Sequence, residues 1–239
     1  MDGLLFNATT AALMVMMINS GLGAVGRDSL RGRSVPWVAV GLTVLAVAGV
    51  LLQLCWAGAM AALDDDPAKT GWWRVFTSVF MQNGGVAGAI WNIATLAFVA
   101  ALAQWLWGGR LTALLVVAGI LLPERIDTLL GLGGGPSTDP RNFAGSSGAT
   151  YFLGATLAAA LLTRTRIKKQ QVLAACVPTL GLLMWCTQDN GHGLVAVYGF
   201  TLGTLIWAVL RWMPRSGTPQ AAVALRPRSA RQVKRPSAK

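Results

Sequence analysis

This 239-residue chain is short of charge, of histidine and of paired cysteine. Charged residues make up 12% of it, about half the share of a soluble domain. That shortage argues against a water-facing enzyme. The single histidine, His192, gives no basis for a protein-only zinc site, and no metal or cofactor is expected. The three cysteines, Cys55, Cys176 and Cys186, form no CxxC and all lie in apolar stretches. They are expected to be small packing residues rather than a disulfide framework. Acidic residues number 9 against 20 Lys and Arg, a net charge of +11. A hydrophobic content of 54% and a mean hydropathy of +0.54 exclude a disordered chain.

What is present is a series of long apolar runs. A bilayer core about 30 Å thick needs roughly 20 residues of helix. Seven runs qualify, at about 4–25, 37–62, 86–107, 111–130, 144–163, 171–187 and 191–213. The pattern predicts an all-α polytopic membrane protein. The fourth run is interrupted at Pro123-Glu124-Arg125, so its end is expected to be irregular. The first has no basic leader and no Ala-x-Ala site, and is read as a retained helix rather than a signal peptide.

Charge gives the run of the chain an orientation. The loops after spans one, three and five and the tail from Arg211 hold 16 of the 20 basic residues and one acid, Asp28. The opposite loops hold Lys69, Arg74, Arg125, Arg141 and the other eight acids. The two sides therefore carry +15 and −4. Basic loops stay in the cytoplasm, which predicts an outer N-terminus and a cytoplasmic C-terminus, in a bacterial plasma membrane. Residues 1–36 are read as an extra helix and basic loop, 37–213 as the membrane core, and 214–239 as a disordered basic tail. That tail suits anionic lipid headgroups. Nucleic acid is not an expected partner.

Few polar residues within the spans call for explanation. Ser147 opens the fifth run in Gly145-Ser146-Ser147-Gly148, and His192 opens the seventh after Asp189-Asn190-Gly191. Both runs go from outside to inside, so both residues lie near the outer face. Ser147, Tyr151 and Gly154 share one helical stripe; His192, Gly199 and Gly203 share another. The glycines would let the two helices approach closely. A serine and a histidine so placed can serve as nucleophile and base. Asn92, in the third span at a similar depth, could donate to an oxyanion. Before that span, Gly71-Trp72-Trp73-Arg74-Val75-Phe76-Thr77-Ser78-Val79-Phe80-Met81 is too short to cross and reads as an amphipathic segment in the outer leaflet.

These residues together resemble the rhomboid family of intramembrane serine proteases over roughly residues 37–213: Trp73-Arg74 with Phe76-Thr77, then Asn92, then Gly145-Ser146-Ser147-Gly148 with Tyr151, then His192 with glycines at +7 and +11. The resemblance implies a rhomboid-like six-helix bundle with one additional N-terminal transmembrane helix. It implies a catalytic Ser147 and a general base at His192, without a carboxylate. Asn92 and the Ser147 N–H would stabilise the oxyanion, and Tyr151 would pack on the histidine. Gly145 and Gly148 would flank the nucleophile, Gly199 and Gly203 would seat the last helix, and Trp73-Arg74 would belong to a membrane-embedded loop. Substrates would be transmembrane proteins cut near the outer face. The polar support departs from the family pattern. Gly88 stands where a histidine is usual, four residues before Asn92; Met81-Gln82-Asn83-Gly84-Gly85 also lacks one. Gln104 replaces a glutamate, and Val195 a small residue. Two other classes stay open: a weak or inactive rhomboid-like protein that binds membrane clients, and a small transporter or channel. The latter would want an ionisable pair deep in the membrane, and none is found mid-span.

Overall fold

The computed structural model describes residues 3–26, 30, 32–132 and 144–212. The tail at 214–239, Arg27, Asp28 and Arg31 of the first basic loop, and most of the Gly131–Phe143 loop lie outside these residues.

The described chain is all helix and connection, with no strand. The long helices are α1 (Gly3–Val25), α2 (Trp37–Cys55), α5 (Gly85–Trp107), α6 (Gly109–Leu130), α7 (Ser147–Arg164), α8 (Lys168–Gln188) and α9 (Gly191–Trp212). Between α2 and α5 lie two short helices, α3 (Ala59–Leu63) and α4 (Arg74–Thr77), and a 3-10 turn at Ser78–Phe80. Among the described residues, α1, α2, α5, α8 and α9 are long and apolar enough to cross a membrane. The fold is thus that of a helical, multi-pass membrane protein.

The remaining two long helices fall short for different reasons. In α6 the last two turns carry Glu124, Arg125 and Asp127, yet the helix continues through Pro123 to Leu130, so the expected irregular end is a regular one. Its missing backbone donor is tolerated as in other membrane helices. In α7 the sequence is rich in Ala, Gly and Thr because the helix faces protein on nearly every side. Thirteen of its 18 residues are buried, and it packs on α1, α5, α6, α8 and α9. Small side chains let those five neighbours close around it. By contrast α2 is peripheral: Val40, Val44, Leu45, Leu51 and Leu54 are exposed, a surface suited to lipid.

Two further expectations need correcting. The second apolar run is not one helix to residue 62. It stops at Cys55, Trp56 adopts an extended conformation, and α3 begins after Gly58. Nor are the cysteines packing residues as a set: Cys55 and Cys186 are exposed and Cys176 is half-buried.

Several helix ends are tied to a neighbour. Call the end that bears Ser147 and His192 the upper end. At the lower end, Arg33 donates to the Val25 and Trp105 carbonyls, and Arg211 donates to Thr163 O at 2.9 Å. These cations thus neutralise the negative C-termini of α1, α5 and α7. Gln104 Oε1 accepts the Val38 N–H at 2.8 Å and caps the start of α2. The amide oxygen thus serves as the acceptor for the first turn of α2. At the upper end, Gln53 and Gln82 exchange side-chain to backbone hydrogen bonds and tie α2 to the segment entering α5.

Candidate active site

Ser147 is the first residue of α7 and His192 the second of α9. The two helices run parallel from the upper end and touch closely because α9 offers glycine. A Cβ on Gly199 would collide with the Phe152 carbonyl of α7, and one on Gly203 would come within 2.8 Å of Thr156 Cα. Gly154 does not share this seam. A Cβ there would meet Met17 of α1 at 3.1 Å, so its small size serves a different neighbour.

The result is a hydrogen bond of 2.9 Å between Ser147 Oγ and His192 Nε2. Its direction follows from the next contact. The backbone N–H of His192 donates to a side-chain atom of Asn190 at 3.1 Å. An N–H must meet an acceptor, so that atom is the amide oxygen. The same oxygen lies 3.2 Å from His192 Nδ1. Since Asn190 Oδ1 only accepts, Nδ1 carries the proton, and Nε2 is left bare to accept from the serine hydroxyl. Asn190 is fully buried, and its Nδ2 donates to Thr10 Oγ1 of α1 at 2.9 Å. The Tyr151 ring meets the imidazole edge-on, with centroids 4.8 Å apart, and the Tyr151 hydroxyl donates to Thr10 O at 2.7 Å.

Asn92 approaches from α5. Its Nδ2 donates to Gln82 Oε1 at 2.9 Å, which fixes the amide and leaves its second N–H free of that bond. Gly145 lies between Asn92 and Ser147. A Cβ on it would sit 3.7 Å from Ser147 Oγ and 3.8 Å from Asn92 Nδ2, with nothing nearer. Its φ of +137° favours glycine, and its N–H donates to Ser78 O at 3.0 Å. A small space flanked by a hydroxyl and an amide donor is therefore kept open by the absence of a side chain. Ser147, His192 and Asn92 are all half-buried, so the space is not sealed.

Other expected residues take different places. A Cβ on Gly148 would meet nothing, so no close approach requires glycine there. Trp73 and Arg74 are bonded within their own loop. Arg74 lies over the Trp73 ring at 4.9 Å and pairs with Asp64 at 3.3 Å, where Lys69 also binds at 2.7 Å. The part of this loop that reaches the site is its far end, Ser78 and Gln82. At Gly88, a Cβ would lie 2.9 Å from Asn83 O, so the backbone leaves no room for the larger residue.

Two residues escaped the sequence reading. Asn190 was noted only in the segment leading into His192 but is buried behind the imidazole. Gln82 was noted only as a non-histidine but holds Asn92. The Asn190-x-His192 spacing was the available signal for the first; nothing local marks the second. Asp189 does line an open hollow of about 480 Å³, with Leu132, Trp185, Cys186, Thr187 and Gln188. It lies at the ends of α6 and α8 rather than among α5, α7 and α9. Among the described residues, no three His, Cys, Asp or Glu side chains come together to hold a metal. Comparison with protein-family models, curated proteins and solved structures found no match to this chain.

Proposed function

We propose that this chain is a rhomboid-type intramembrane serine endopeptidase that cuts transmembrane proteins near the outer membrane face. In this reading α2 and α5 to α9 form the six-helix core, and α1 is the additional N-terminal helix. The observation that carries the proposal is the 2.9 Å contact between Ser147 Oγ and His192 Nε2. A hydroxyl donating to a bare imidazole nitrogen is poised to lose its proton as its oxygen attacks a carbonyl.

Ser147 Oγ attacks the scissile carbonyl while Nε2 takes its proton. The oxyanion accepts from the Ser147 N–H, at the positive start of α7, and from the free N–H of Asn92. Nε2–H then protonates the leaving amine, and the C–N bond breaks. Water, deprotonated by Nε2, attacks the acyl-enzyme, and collapse returns the proton to Ser147. Asn190 holds the Nδ1–H tautomer throughout and accepts more strongly once the ring is cationic. The substrate helix must unwind locally to present a carbonyl, which favours small or helix-breaking residues near the outer face.

A fluorophosphonate probe and a panel of membrane substrates in proteoliposomes test this. The expected result is labelling and cleavage, both lost in Ser147→Ala and His192→Ala. Absence of both in the unaltered protein would refute the peptidase and favour a protein that binds membrane clients without cutting them. The crowding at Gly88 and the occupied Asn92 N–H are what speak for that second reading.

A further inference from the structure

We propose that Thr10 is a positioning residue for His192, and that α1 is thereby a working part of the site. The inference rests on the Ser147–His192 reading and concerns what holds its base. Three groups bound the imidazole: Ser147 at Nε2, Asn190 at Nδ1, and the Tyr151 ring at its edge. Thr10 grips two of the three. Its hydroxyl accepts from Asn190 Nδ2 at 2.9 Å and its carbonyl accepts from the Tyr151 hydroxyl at 2.7 Å. The hydroxyl is itself oriented, since it donates to Phe6 O at 2.7 Å. One residue of α1 thus sets both the amide that selects the tautomer and the ring that fixes the tilt.

The rest of α1 explains why Thr10 stays in register. Leu13, Met14 and Met17 are fully buried, and α1 packs on α5, α7 and α8. Farther down, a Cβ on Gly21 would fall within 2.9 Å of Leu157 and Leu102, and one on Gly23 within 3.3 Å of Leu161. The helix is keyed against α7 over several turns. A slip by a single residue moves Thr10 by about 1.5 Å and turns it away, which is enough to lose both hydrogen bonds.

The lone histidine makes a direct test possible. Full-length protein labelled with 15N-histidine gives one imidazole, whose tautomer is read by NMR alongside the rate of fluorophosphonate labelling. In Thr10→Val, which keeps the shape and removes the hydroxyl, the imidazole should shift from a fixed Nδ1–H form to a mixture. Labelling should slow about tenfold, the equivalent of one hydrogen bond. Thr10→Ser should restore both. Thr201→Val, whose hydroxyl bonds only its own helix at Val197 O, should change neither. A wild-type imidazole spectrum and labelling rate in Thr10→Val would overturn the proposal. If that variant does not fold, Tyr151→Phe replaces it: an unaltered His192 resonance there would count against the grip just as firmly. An unlabelled wild-type protein whose imidazole still changes in Thr10→Val would instead sink the peptidase and leave the hold on His192 standing.

Discussion

Replacing Gly199 by alanine puts one methyl group into the tightest point of the α7–α9 seam. The Cβ would run into the Phe152 carbonyl, and carbon and carbonyl oxygen come no closer than about 3.3 Å. The backbone of α7 cannot yield, because that helix is enclosed by five others. The α9 helix must therefore retreat by roughly 1 Å, an overpacking that costs about 1–3 kcal/mol of stability. Gly199 lies seven residues below His192, about 10 Å along the axis, so much of the retreat reaches the imidazole. A separation of 2.9 Å lengthened by this amount leaves hydrogen-bond range. Misplacement of a reacting pair by about 1 Å costs on the order of 100-fold in rate. Fluorophosphonate labelling kinetics and thermal unfolding in detergent would read both effects. Gly41→Ala serves as the control, since a Cβ there meets nothing. Wild-type labelling by a stable Gly199→Ala protein would refute the idea that this seam sets the Ser147–His192 distance.

Further outcomes follow from the same contacts. Asn92→Ala should lower cleavage by about 100- to 1,000-fold at little change in KM, the loss expected for one oxyanion donor. Gln82→Leu should lower it less, because the Asn92 amide survives but swings free of its partner. Asp64→Asn should destabilise the α2–α5 loop by about 3 kcal/mol, since it removes the largely buried negative charge shared by Lys69 and Arg74 and turns one accepting oxygen into a donor; limited proteolysis would detect it. The Asp65 carboxyl is pushed above its ordinary 3.8 by burial and then by Glu124, against a lowering by Arg74. A raised folded value penalises folding once the unfolded chain ionises. Asp65→Asn should therefore raise the melting temperature at neutral pH and leave it unchanged well below pH 3.8.

The limits of six of the seven long helices were legible to within a few residues, because apolar runs and basic turns mark them directly; the run at 37–62 hid the break after Cys55. The pairing of Ser147 with His192 was legible for a related reason. Two parallel spans bring their first turns to the same height whatever their order in the bundle. What periodicity cannot show is which helix faces which. Asn190 finds Thr10 from 180 positions away, so nothing near either residue announces the contact. The same blindness assigned Gly154 to the wrong neighbour. A proline and three charged residues made α6 look broken at Pro123, but a helix end near the polar face accepts them without unwinding. Gln104 and Gln82 read as losses only because their acceptor atoms were judged by residue type rather than by the donors they meet.

The enclosure of α7 has a consequence for how the molecule is made. A segment rich in Ala, Gly and Thr is a weak signal for lateral release from a translocation channel into lipid. It emerges after α1, α5 and α6 but before α8 and α9, so three of its five partners are already waiting. Those earlier segments would act as its chaperones at the channel exit. Glycosylation mapping of nascent chains ending beyond Arg164 should show α7 integrating well with α1 present and slipping through the membrane without it.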